Sequence, residues 1–359
     1  MAEPWGRPPW HVDVAIPETP LPTHVDVAVV GAGFAGLATA YELGRRHLDV
    51  AVFEAERIGA GASGHSGAIA LEGTAVGLLE DADHCLESLA RITRDAGIDC
   101  DLQLDGCWEV EHRRDGPWRD GDASLGVADT VPGGTIDAGA VLGGLARAVL
   151  SAGGEIHEAS RVEHLELGSR RVLRTVRGDV VAEQIVVATN AYLPMLLALP
   201  IDLRPALTLA LATAPLDDAT RVALGLRLPF YTVDLPYLWG RMLADGRAVF
   251  GSGLVFPPAQ DVRETRADGE EARAIFGRLE SRVRAFHPAL AEVAIERHWG
   301  GPISFVPSRA PIVATHPEDQ RVVVTGGCAG HGVALSFRLG ELIAEHVTND
   351  RHLPPWGAI

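Results

Sequence analysis

The stretch from Asp26 to Gly36, DVAVVGAGFAG, constrains the fold of this chain more than any other. Its opening run of apolar, mostly β-branched residues predicts a buried parallel strand. The strand leads into a G-x-G-x-x-G turn, made by Gly31, Gly33 and Gly36, and a helix pattern follows at once. In such a turn the first glycine permits a sharp bend, the second lets the backbone approach a pyrophosphate, and the third lets the helix pack closely on the strand. The stretch therefore predicts a dinucleotide-binding βαβ unit.

The residues after this helix support the same interpretation. A second apolar strand, Val50 to Phe53, ends at Glu54, which lies 21 residues after Gly33. A carboxylate at this place accepts the ribose hydroxyls of an adenosine. The loop from Ile58 to Gly67 is rich in glycine and small residues, so it can lie against a planar ligand or surround phosphate oxygens. The alternatives are an incidental glycine turn and a flexible linker, and neither explains the position of Glu54 or of the loop.

Composition excludes several classes of protein. With 359 residues, the chain is long enough for two domains or for one large core with a cap. A net charge of −17 makes nucleic acid a poor partner. No apolar run is long enough to span a membrane, and the first residues lack the apolar core of a signal peptide. Four cysteines without metal-ligand spacing predict no metal site and favour a reducing cytoplasm.

The sequence contains no lysine, and all 31 basic residues are arginine. Codon usage in a GC-rich genome is a sufficient explanation of this bias. Whatever the cause of the bias, the sequence excludes a Walker-type phosphate loop, a Schiff-base mechanism and a catalytic lysine, because each of them requires a lysine side chain.

Local patterns divide the rest of the chain into further elements. We expect an N-terminal surface arm and then helices over 74–96, 136–152, 264–286 and 333–347. Strands are predicted over 102–111, 155–167, 171–183 (as a hairpin), 185–190, 207–214, 230–250 (as more than one strand) and 321–325, and residues 112–130 read as a loop or hairpin. Asp245 and Gly246 predict a hairpin turn. A second glycine-rich junction between strand and helix, Gly326 to Gly332, lies near the C-terminus.

These patterns predict an α/β architecture in which a nucleotide-binding domain is interleaved with an antiparallel-sheet domain. The expected segments are an arm (1–23), a first nucleotide-binding segment (24–100), a substrate or cap segment (101–138), a second nucleotide-binding segment (139–200), a substrate domain (201–295), a third nucleotide-binding segment (296–349) and a tail (350–359).

Several motifs together resemble the FAD-dependent amine and D-amino-acid oxidoreductases, the DAO family. They are GAGFAG with Glu54, the GASGHSG loop, VVATNAYLP, LATAPL, Tyr237 and Arg241 ahead of DGRAVFG, WGG before SRAP, and GGCAGHGVALSFRLGELIA. The motifs are most similar to those of γ-glutamylputrescine oxidoreductases, and the resemblance covers about residues 24–347. It implies a Rossmann-like FAD-binding domain of the glutathione-reductase-2-like type with an interleaved antiparallel-sheet substrate domain.

The resemblance also implies which residues hold FAD across both glycine junctions. Gly31, Gly33 and Gly36 would hold the pyrophosphate, Glu54 the adenosine ribose, and Val162 would pack by the adenine. His331 would lie by the flavin ring, unless it only caps the closing helix. The full set of implied cofactor residues is Gly31, Gly33, Phe34, Ala35, Gly36, Glu54, Ala55, Arg57, Ala62, Ser63, Gly64, His65, Ser66, Gly67, Val162, Ala188, Thr189, Gly327, Gly330, His331, Gly332 and Val333.

The sequence departs from its relatives in three places. His65 and Ser66 replace the arginine and asparagine of the related loop, and a histidine at the corresponding place bonds covalently to the flavin in some related amine dehydrogenases. A link through His65 is therefore one hypothesis. The lysine with which sarcosine-oxidase-like relatives help oxygen react is absent, which favours a dehydrogenase without excluding an oxidase. The stretch around 112–135 is compact, so some of the usual substrate cover is expected to be missing.

The implied reaction is hydride transfer from a C–H beside an amine to flavin N5, after which the imine hydrolyses. Tyr237 and Arg241 would face the flavin from the antiparallel sheet, and Arg309 would bind a substrate carboxylate. Ordinary sheet packing for Tyr237 and structural ion pairs for both arginines are the alternatives. The expected partners are an amine or amino-acid substrate and oxygen or an electron carrier. A 2-hydroxy-acid dehydrogenase, a non-catalytic FAD-binding subunit and a nicotinamide-dependent enzyme stay open.

Overall fold

The computed structural model describes residues 4–257 and 261–358, and within them the chain forms seven α-helices and eighteen β-strands. The helices are α1 (Phe34–Gly44), α2 (Cys85–Asp95), α3 (Ala138–Ser151), α4 (Leu193–Leu196), α5 (Asp218–Leu224), α6 (Glu270–Phe286) and α7 (Gly332–Val347). The strands are β1 (His24–Val30), β2 (Val50–Phe53), β3 (Ile69–Leu71), β4 (Cys107–His112), β5 (Trp118–Asp120), β6 (Ala123–Val131), β7 (Gly133–Thr135), β8 (Glu155–His157), β9 (Val162–Glu166), β10 (Arg171–Thr175), β11 (Gly178–Val187), β12 (Arg204–Thr213), β13 (Phe230–Thr232), β14 (Trp239–Met242), β15 (Ala248–Val255), β16 (Ile295–Phe305), β17 (Ile312–His316) and β18 (Asp319–Gly326).

The first sheet has the doubly wound architecture that the sequence predicts. Its central strands run in the order β18-β11-β1-β2-β8 and are all parallel, and β17 adds an antiparallel edge. Strands β9 and β10 extend β11 as an antiparallel hairpin. Helices α1, α3 and α7 cover one face through a core of fully buried aliphatic residues and Phe337. Because the parallel strands are covered on both faces, their sequences are apolar throughout rather than alternating.

The second sheet forms the predicted antiparallel domain. Its order is β16-β12-β15-β14-β13-β4-β6-β5, and all neighbours are antiparallel except β13 and β4. Helix α6 packs on it, and the core between them is aromatic: Phe230, Phe250 and Phe286 lie within 5.2–6.2 Å of one another, measured between ring centroids. Asp245 and Gly246 lie in the turn between β14 and β15, as the sequence predicts.

Some predicted elements differ from the observed ones. The helix expected from residue 74 begins only at Cys85, because Gly73, Gly77 and Asp81 adopt positive φ angles that end helical geometry. Of the two alternatives for residues 112–130, the hairpin is observed: β5 and β6 pair antiparallel within the second sheet. A bend at Ala159, with φ 50°, divides the strand predicted over 155–167 into β8 and β9. The helix predicted from 264 begins at Glu270.

One predicted domain boundary is wrong. The sequence places residues 296–305 in the third nucleotide-binding segment, but they belong to β16, which pairs with β12 along its whole length at the edge of the second sheet. The chain therefore returns to the first sheet only after Phe305. Pairing between strands about 90 residues apart leaves no local signal, so the pattern of residues 296–305 alone could not show which sheet they join.

The N-terminal arm is more deeply packed than expected. Its residues 4–23 form no regular helix or strand, yet Trp5 is buried, and its indole nitrogen donates a hydrogen bond to Thr265 O at 3.1 Å. The amide of Gly300 donates to Trp5 O at 2.7 Å, which ties the arm to β16. Residues 1–3 of the predicted arm and residue 359 of the predicted tail lie outside the described residues. Among the described helices, none combines the length and apolar character that crossing a membrane requires.

Candidate active site

A cavity of about 1450 Å³ lies between the two sheets and is lined by both glycine junctions. Pockets for one small ligand usually measure about 300–1,000 Å³, so this cavity has room for a cofactor and a substrate together. The predicted site residues that line it are Gly33, Phe34, Ala35, Ala62, Ser63, His65, Ser66, Gly67, Ala188, Gly330, His331, Gly332, Val333, Tyr237 and Arg309. The predicted site residues outside the lining are Gly31, Gly36, Glu54, Ala55, Arg57, Gly64, Val162, Thr189, Gly327 and Arg241.

The first junction has the close packing that its glycines predict. Gly31 adopts φ 101°, a conformation that favours glycine, and a Cβ on Gly36 would lie 1.9 Å from Gly31 O. The amide of Phe34 donates to Ser63 Oγ at 2.9 Å, so the following loop closes over the start of α1. The amides of a first helical turn have no intrahelical partner and carry the positive end of the helix dipole. This end of the cavity therefore suits the phosphates of a dinucleotide.

Glu54 lies beside this junction, at the end of β2. Its Oε2 accepts a hydrogen bond from the amide of Ala32 at 2.9 Å, and its Oε1 accepts one from the amide of Glu56 at 3.0 Å. Burial raises the pKa of Glu54, and these two amide bonds act in the opposite direction. Each carboxylate oxygen has a second lone pair, so the group can still accept a hydroxyl. Val162, in contrast, is buried in the apolar core that also contains Phe53.

We call the segment from His65 to Ala68 the flavin loop. Three side chains from outside the cavity donate hydrogen bonds to its carbonyl oxygens. Trp299 Nε1 donates to His65 O at 3.1 Å, Trp10 Nε1 donates to Ser66 O at 3.1 Å, and Arg241 Nη1 donates to Ala68 O at 2.6 Å. The donors come from β16, the N-terminal arm and β14, and none of them lines the cavity. The carbonyl groups of the flavin loop are therefore held away from the cavity by distant segments of the chain.

The structure does not place Arg241 where the sequence predicted it. Its side chain is 3% exposed, and its Nη1 also donates to Ile136 O at 2.8 Å. Desolvation lowers the pKa of Arg241 to about 10. The guanidinium thus has backbone carbonyls as partners, and it lies outside the cavity, so the predicted catalytic role is replaced by one of positioning. The alternative of a structural ion pair is also not observed, because the bonds are to carbonyl oxygens.

Two buried polar atoms near the glycine junctions lack hydrogen-bond partners in the described part of the chain: Nδ1 of His331, at the second junction, and Oγ1 of Thr189, which lies beside Gly31 and outside the cavity lining. His331 precedes α7. Burial lowers the pKa of His331, with Arg309 contributing in the same direction. Ala329 and Gly330 have positive φ angles, so the turn before α7 is tight. Buried polar atoms without partners are rare in folded proteins, and a bound ligand with a polar edge accounts for that of His331, which lines the cavity.

These features fit FAD. One end of the cavity offers a helix N-terminus, which matches a pyrophosphate, and the carboxylate of Glu54, which lies just outside the lining beside it, matches a ribose. The other end offers a second helix N-terminus and the unpartnered Nδ1 of His331 near an apolar wall, which match a ring system with polar edges.

Tyr237 and Arg309 lie on loops that line the cavity, and the guanidinium of Arg309 is close enough to His331 to affect its pKa. Tyr237 precedes β14 and is half-exposed, so it is not on the sheet as predicted. Arg309 has φ 60°, and its guanidinium makes no hydrogen bond or ion pair to any other described residue. A non-glycine residue in the left-handed region is held there by its surroundings, and such residues are frequent at functional sites.

Asn190, Ser304 and Glu72 are among the polar lining residues that sequence reasoning did not single out. Asn190 Oδ1 accepts hydrogen bonds from Ser304 Oγ at 2.7 Å and from the amide of Gly327 at 3.2 Å, so Asn190 and Ser304 brace the second junction. Glu72 also lines the cavity, and its carboxylate accepts from the amides that begin α2. Only Asn190 carried a signal, because it follows a buried parallel strand, where ligands bind in doubly wound sheets.

Comparison with known proteins agrees with this geometry. The family model described as DAO, FAD dependent oxidoreductase, matches residues 26–346. The chain is 28% identical to γ-glutamylputrescine oxidoreductase of Escherichia coli, over 90% of this chain and 84% of that protein, and 27% identical to the probable oxidoreductase OrdL of Haemophilus influenzae, over 91% and 84%. The solved structure of glycine oxidase from Geobacillus kaustophilus shares the fold, with a TM-score of 0.77 and 20% identity over 92% of this chain and 96% of that one. The chain therefore belongs to the DAO family of FAD-dependent oxidoreductases.

Proposed function

We propose that this enzyme oxidises the C–N bond of an amine or amino acid, with FAD bound across both glycine junctions. The observation that carries the proposal is the cavity that joins the two junctions to the wall of the second sheet. Family membership supports it, as do the relatives, whose names specify a glutamylated diamine and glycine as substrates. Bound FAD supplies the two-electron acceptor for such an oxidation.

The proposed cofactor contacts follow the geometry of the lining. The amides of Gly33 and Ala35 bind the pyrophosphate, because that of Phe34 already donates to Ser63 Oγ, and Glu54 accepts the ribose hydroxyls. Ser63 to Gly67 line the path between the phosphates and the ring system, and Gly330 to Val333 lie by the ring. The partner of His331 Nδ1 is then a polar atom of the cofactor.

The chain's own residues also prepare the substrate. Arg309 offers an unpartnered guanidinium, which binds a carboxylate through two parallel hydrogen bonds. The neutral amine is the reactive form, and a cavity walled by apolar side chains disfavours the ammonium form. Tyr237 borders the same space and would position the substrate.

A covalent bond between His65 and FAD is a separate hypothesis. His65 lines the cavity, and its Nδ1 lies 3.0 Å from Gly61 O. Acid precipitation of the protein decides the matter. Flavin that stays with the pellet supports the link, whereas a yellow supernatant over a colourless pellet excludes it.

The absorption spectrum of the purified protein, followed by anaerobic titration with amines and amino acids, tests the function. Flavin bands that bleach with at least one amine support it. A protein without flavin bands, or a flavin that bleaches only with 2-hydroxy acids, contradicts it. Mixing the reduced enzyme with oxygen or with a quinone then identifies the acceptor, for which we propose an electron carrier because the chain has no lysine to assist oxygen.

A further inference from the structure

The region of the cavity that faces away from the glycine junctions is apolar. Its wall comes from the second sheet, through Trp239 and Ile303, and from β3 of the separate two-stranded sheet β3-β7, through Ile69 and Leu71. All four residues lie on strands that are paired within one of these two sheets, so the wall is preformed by regular structure.

The mouth of the cavity continues this apolar surface. Five large apolar side chains that are well exposed to solvent all line the cavity: Leu78 (68% exposed), Leu235 (76%), Val233 (39%), Leu254 (37%) and Tyr237 (36%). Single exposed apolar residues are common, but a cluster that lines one cleft marks a place where apolar surface is covered by a ligand. The cluster therefore extends the apolar site beyond the wall of the sheet.

The charges at the cavity are unequal. Among the lining residues that the structure describes, Glu72 is the only one with a carboxylate, and it accepts hydrogen bonds from the amides of Gly73, Cys85 and Leu86. Glu109 lies behind Tyr231, where it accepts the tyrosine hydroxyl at 2.9 Å, and is not among the lining residues. No carboxylate of the described lining is thus left to pair with a second cationic group on a substrate.

The two arginines in the described lining of the cavity differ in whether they have a partner. Arg204 is paired with Asp202, whereas the guanidinium of Arg309 has no hydrogen-bond or ion-pair partner in the described stretches of the chain. A free arginine in a cleft attracts one anionic group, and burying an unpaired ammonium against apolar side chains is costly. A ligand with one carboxylate and an apolar body satisfies both conditions.

We propose, building on the function above, that the substrate is an amino acid with a single carboxylate and a large apolar group, and not a diamine or a small polar amine. Arg309 binds the carboxylate, and the surface formed by Leu78, Val233, Leu235, Tyr237 and Leu254, the apolar mouth, covers the apolar group. The substrate class thus differs from those named for the relatives above.

Binding of straight-chain carboxylates from acetate to hexanoate tests the proposal without turnover. The dissociation constant, measured from the perturbed visible spectrum of the FAD-loaded enzyme, should fall about fourfold for each added methylene group. An affinity that does not depend on chain length, or a failure of the whole series to bind, overturns the proposal.

Three variants identify the contacts. Arg309→Gln should weaken every carboxylate by a similar factor, because the anchoring group is common to all of them. Leu78→Asp should weaken hexanoate at least tenfold and leave acetate within twofold. Val222→Asp, on α5 and 82% exposed outside the cavity, is the matched control and should change neither. Equal effects of Leu78→Asp and Val222→Asp on hexanoate contradict the role of the apolar mouth.

Anaerobic bleaching separates this proposal from the function on which it rests. The panel contains both enantiomers of leucine and phenylalanine, their N-methyl derivatives, glycine, sarcosine and putrescine. Faster bleaching by the apolar amino acids supports the proposal. Faster bleaching by glycine, sarcosine or putrescine overturns it but leaves the proposed function intact. Bleaching by none of them counts against the proposed function, and the carboxylate series still decides whether the cavity prefers apolar anions.

Discussion

The indole ring of Trp239 lies against Gly251 so closely that a Cβ on this glycine would be 1.9 Å from ring atom Cζ2. A Cβ on Gly67, in the flavin loop, would be 2.6 Å from ring atom Cζ3. Two glycines on different elements thus make room for one ring that lines the cavity. The contact couples the flavin loop to the second sheet.

Replacing Gly251 with alanine should force Trp239 out of its place. We expect Gly251→Ala to lower the free energy of unfolding by about 1–3 kcal/mol, the usual cost of overpacking. In a Trp239→Ala background the same change should cost little, because the ring that it meets is gone. Urea unfolding of the four proteins in this double-mutant cycle measures the coupling. Additive effects of the two changes would mean that the ring does not occupy this space.

Gly36→Ala should disrupt the first junction, since its Cβ would be 1.9 Å from a backbone oxygen that has little freedom to move. We expect a large fall in melting temperature and loss of FAD during purification. Gly277→Ala is the control: Gly277 lies within α6, and a Cβ there meets nothing within 4 Å. That substitution should stabilise the protein by up to about 1 kcal/mol through helix propensity. A similar fall in melting temperature and a similar loss of FAD in Gly36→Ala and Gly277→Ala would argue against a packing role for Gly36.

Trp10→Phe removes the indole donor that holds Ser66 O in the flavin loop. A lost hydrogen bond of this kind is worth about 1 kcal/mol, so the dissociation constant for FAD should rise about fivefold. Trp356→Phe removes a comparable bond, from its indole to Glu80 O, away from the cavity. Fluorescence titration of the apoprotein with FAD compares the two variants. Equal affinity in Trp10→Phe and Trp356→Phe would show that the N-terminal arm does not position the loop.

A charged cluster ties α7 to α2. The carboxylate of Glu341 accepts hydrogen bonds from Ser88 Oγ at 2.5 Å, Arg91 Nη2 at 2.6 Å and Arg338 Nη1 at 2.9 Å, and its side chain is 10% exposed. Removing one partner of a buried ion pair costs about 3–5 kcal/mol, so Glu341→Leu should strongly destabilise the protein in urea.

The matched control for that cluster is Glu166→Leu. Glu166 pairs with Arg174, and both side chains are 44% exposed. An exposed pair is worth about 0–1 kcal/mol, so this variant should unfold close to the wild-type midpoint. A Glu341→Leu protein with the same midpoint as Glu166→Leu would show that the cluster contributes no more than a surface pair.

The stability of the protein should depend on pH through His331. Burial lowers the pKa of His331 in the folded protein, so the unfolded chain takes up a proton first as the pH falls below about 6.5. The free energy of unfolding must therefore fall with pH, from that value down to the folded pKa. His331→Gln removes this contribution but retains those of His157 and His287, whose pKa values burial also lowers.

Urea unfolding between pH 7.5 and 5 measures the effect. Between pH 7.5 and 5, the free energy of unfolding should fall more in the wild type than in His331→Gln. Above pH 7, the difference between their free energies of unfolding should be constant. Parallel curves throughout would mean that the imidazole is not desolvated in the folded protein.

Residues close together along the chain determined the first junction and the general architecture. The turn from Gly31 to Gly36 requires glycine for reasons of local geometry, and β1, α1 and β2 follow from apolar patterns within 30 residues. The same is true of β18, its glycine-rich turn and α7. These features could be predicted because local sterics and periodicity act independently of the rest of the fold.

Only the tertiary structure decided the roles of residues whose partners are distant in sequence. Arg241 binds a carbonyl 173 positions away, and Trp299 binds one 234 positions away, so no local pattern distinguishes either from a residue that faces the cavity. The place of the strand that contains Trp299 in the second sheet likewise depends on a partner strand that is distant in sequence. A buried donor must find an acceptor, but which acceptor it finds depends on how the two sheets pack together.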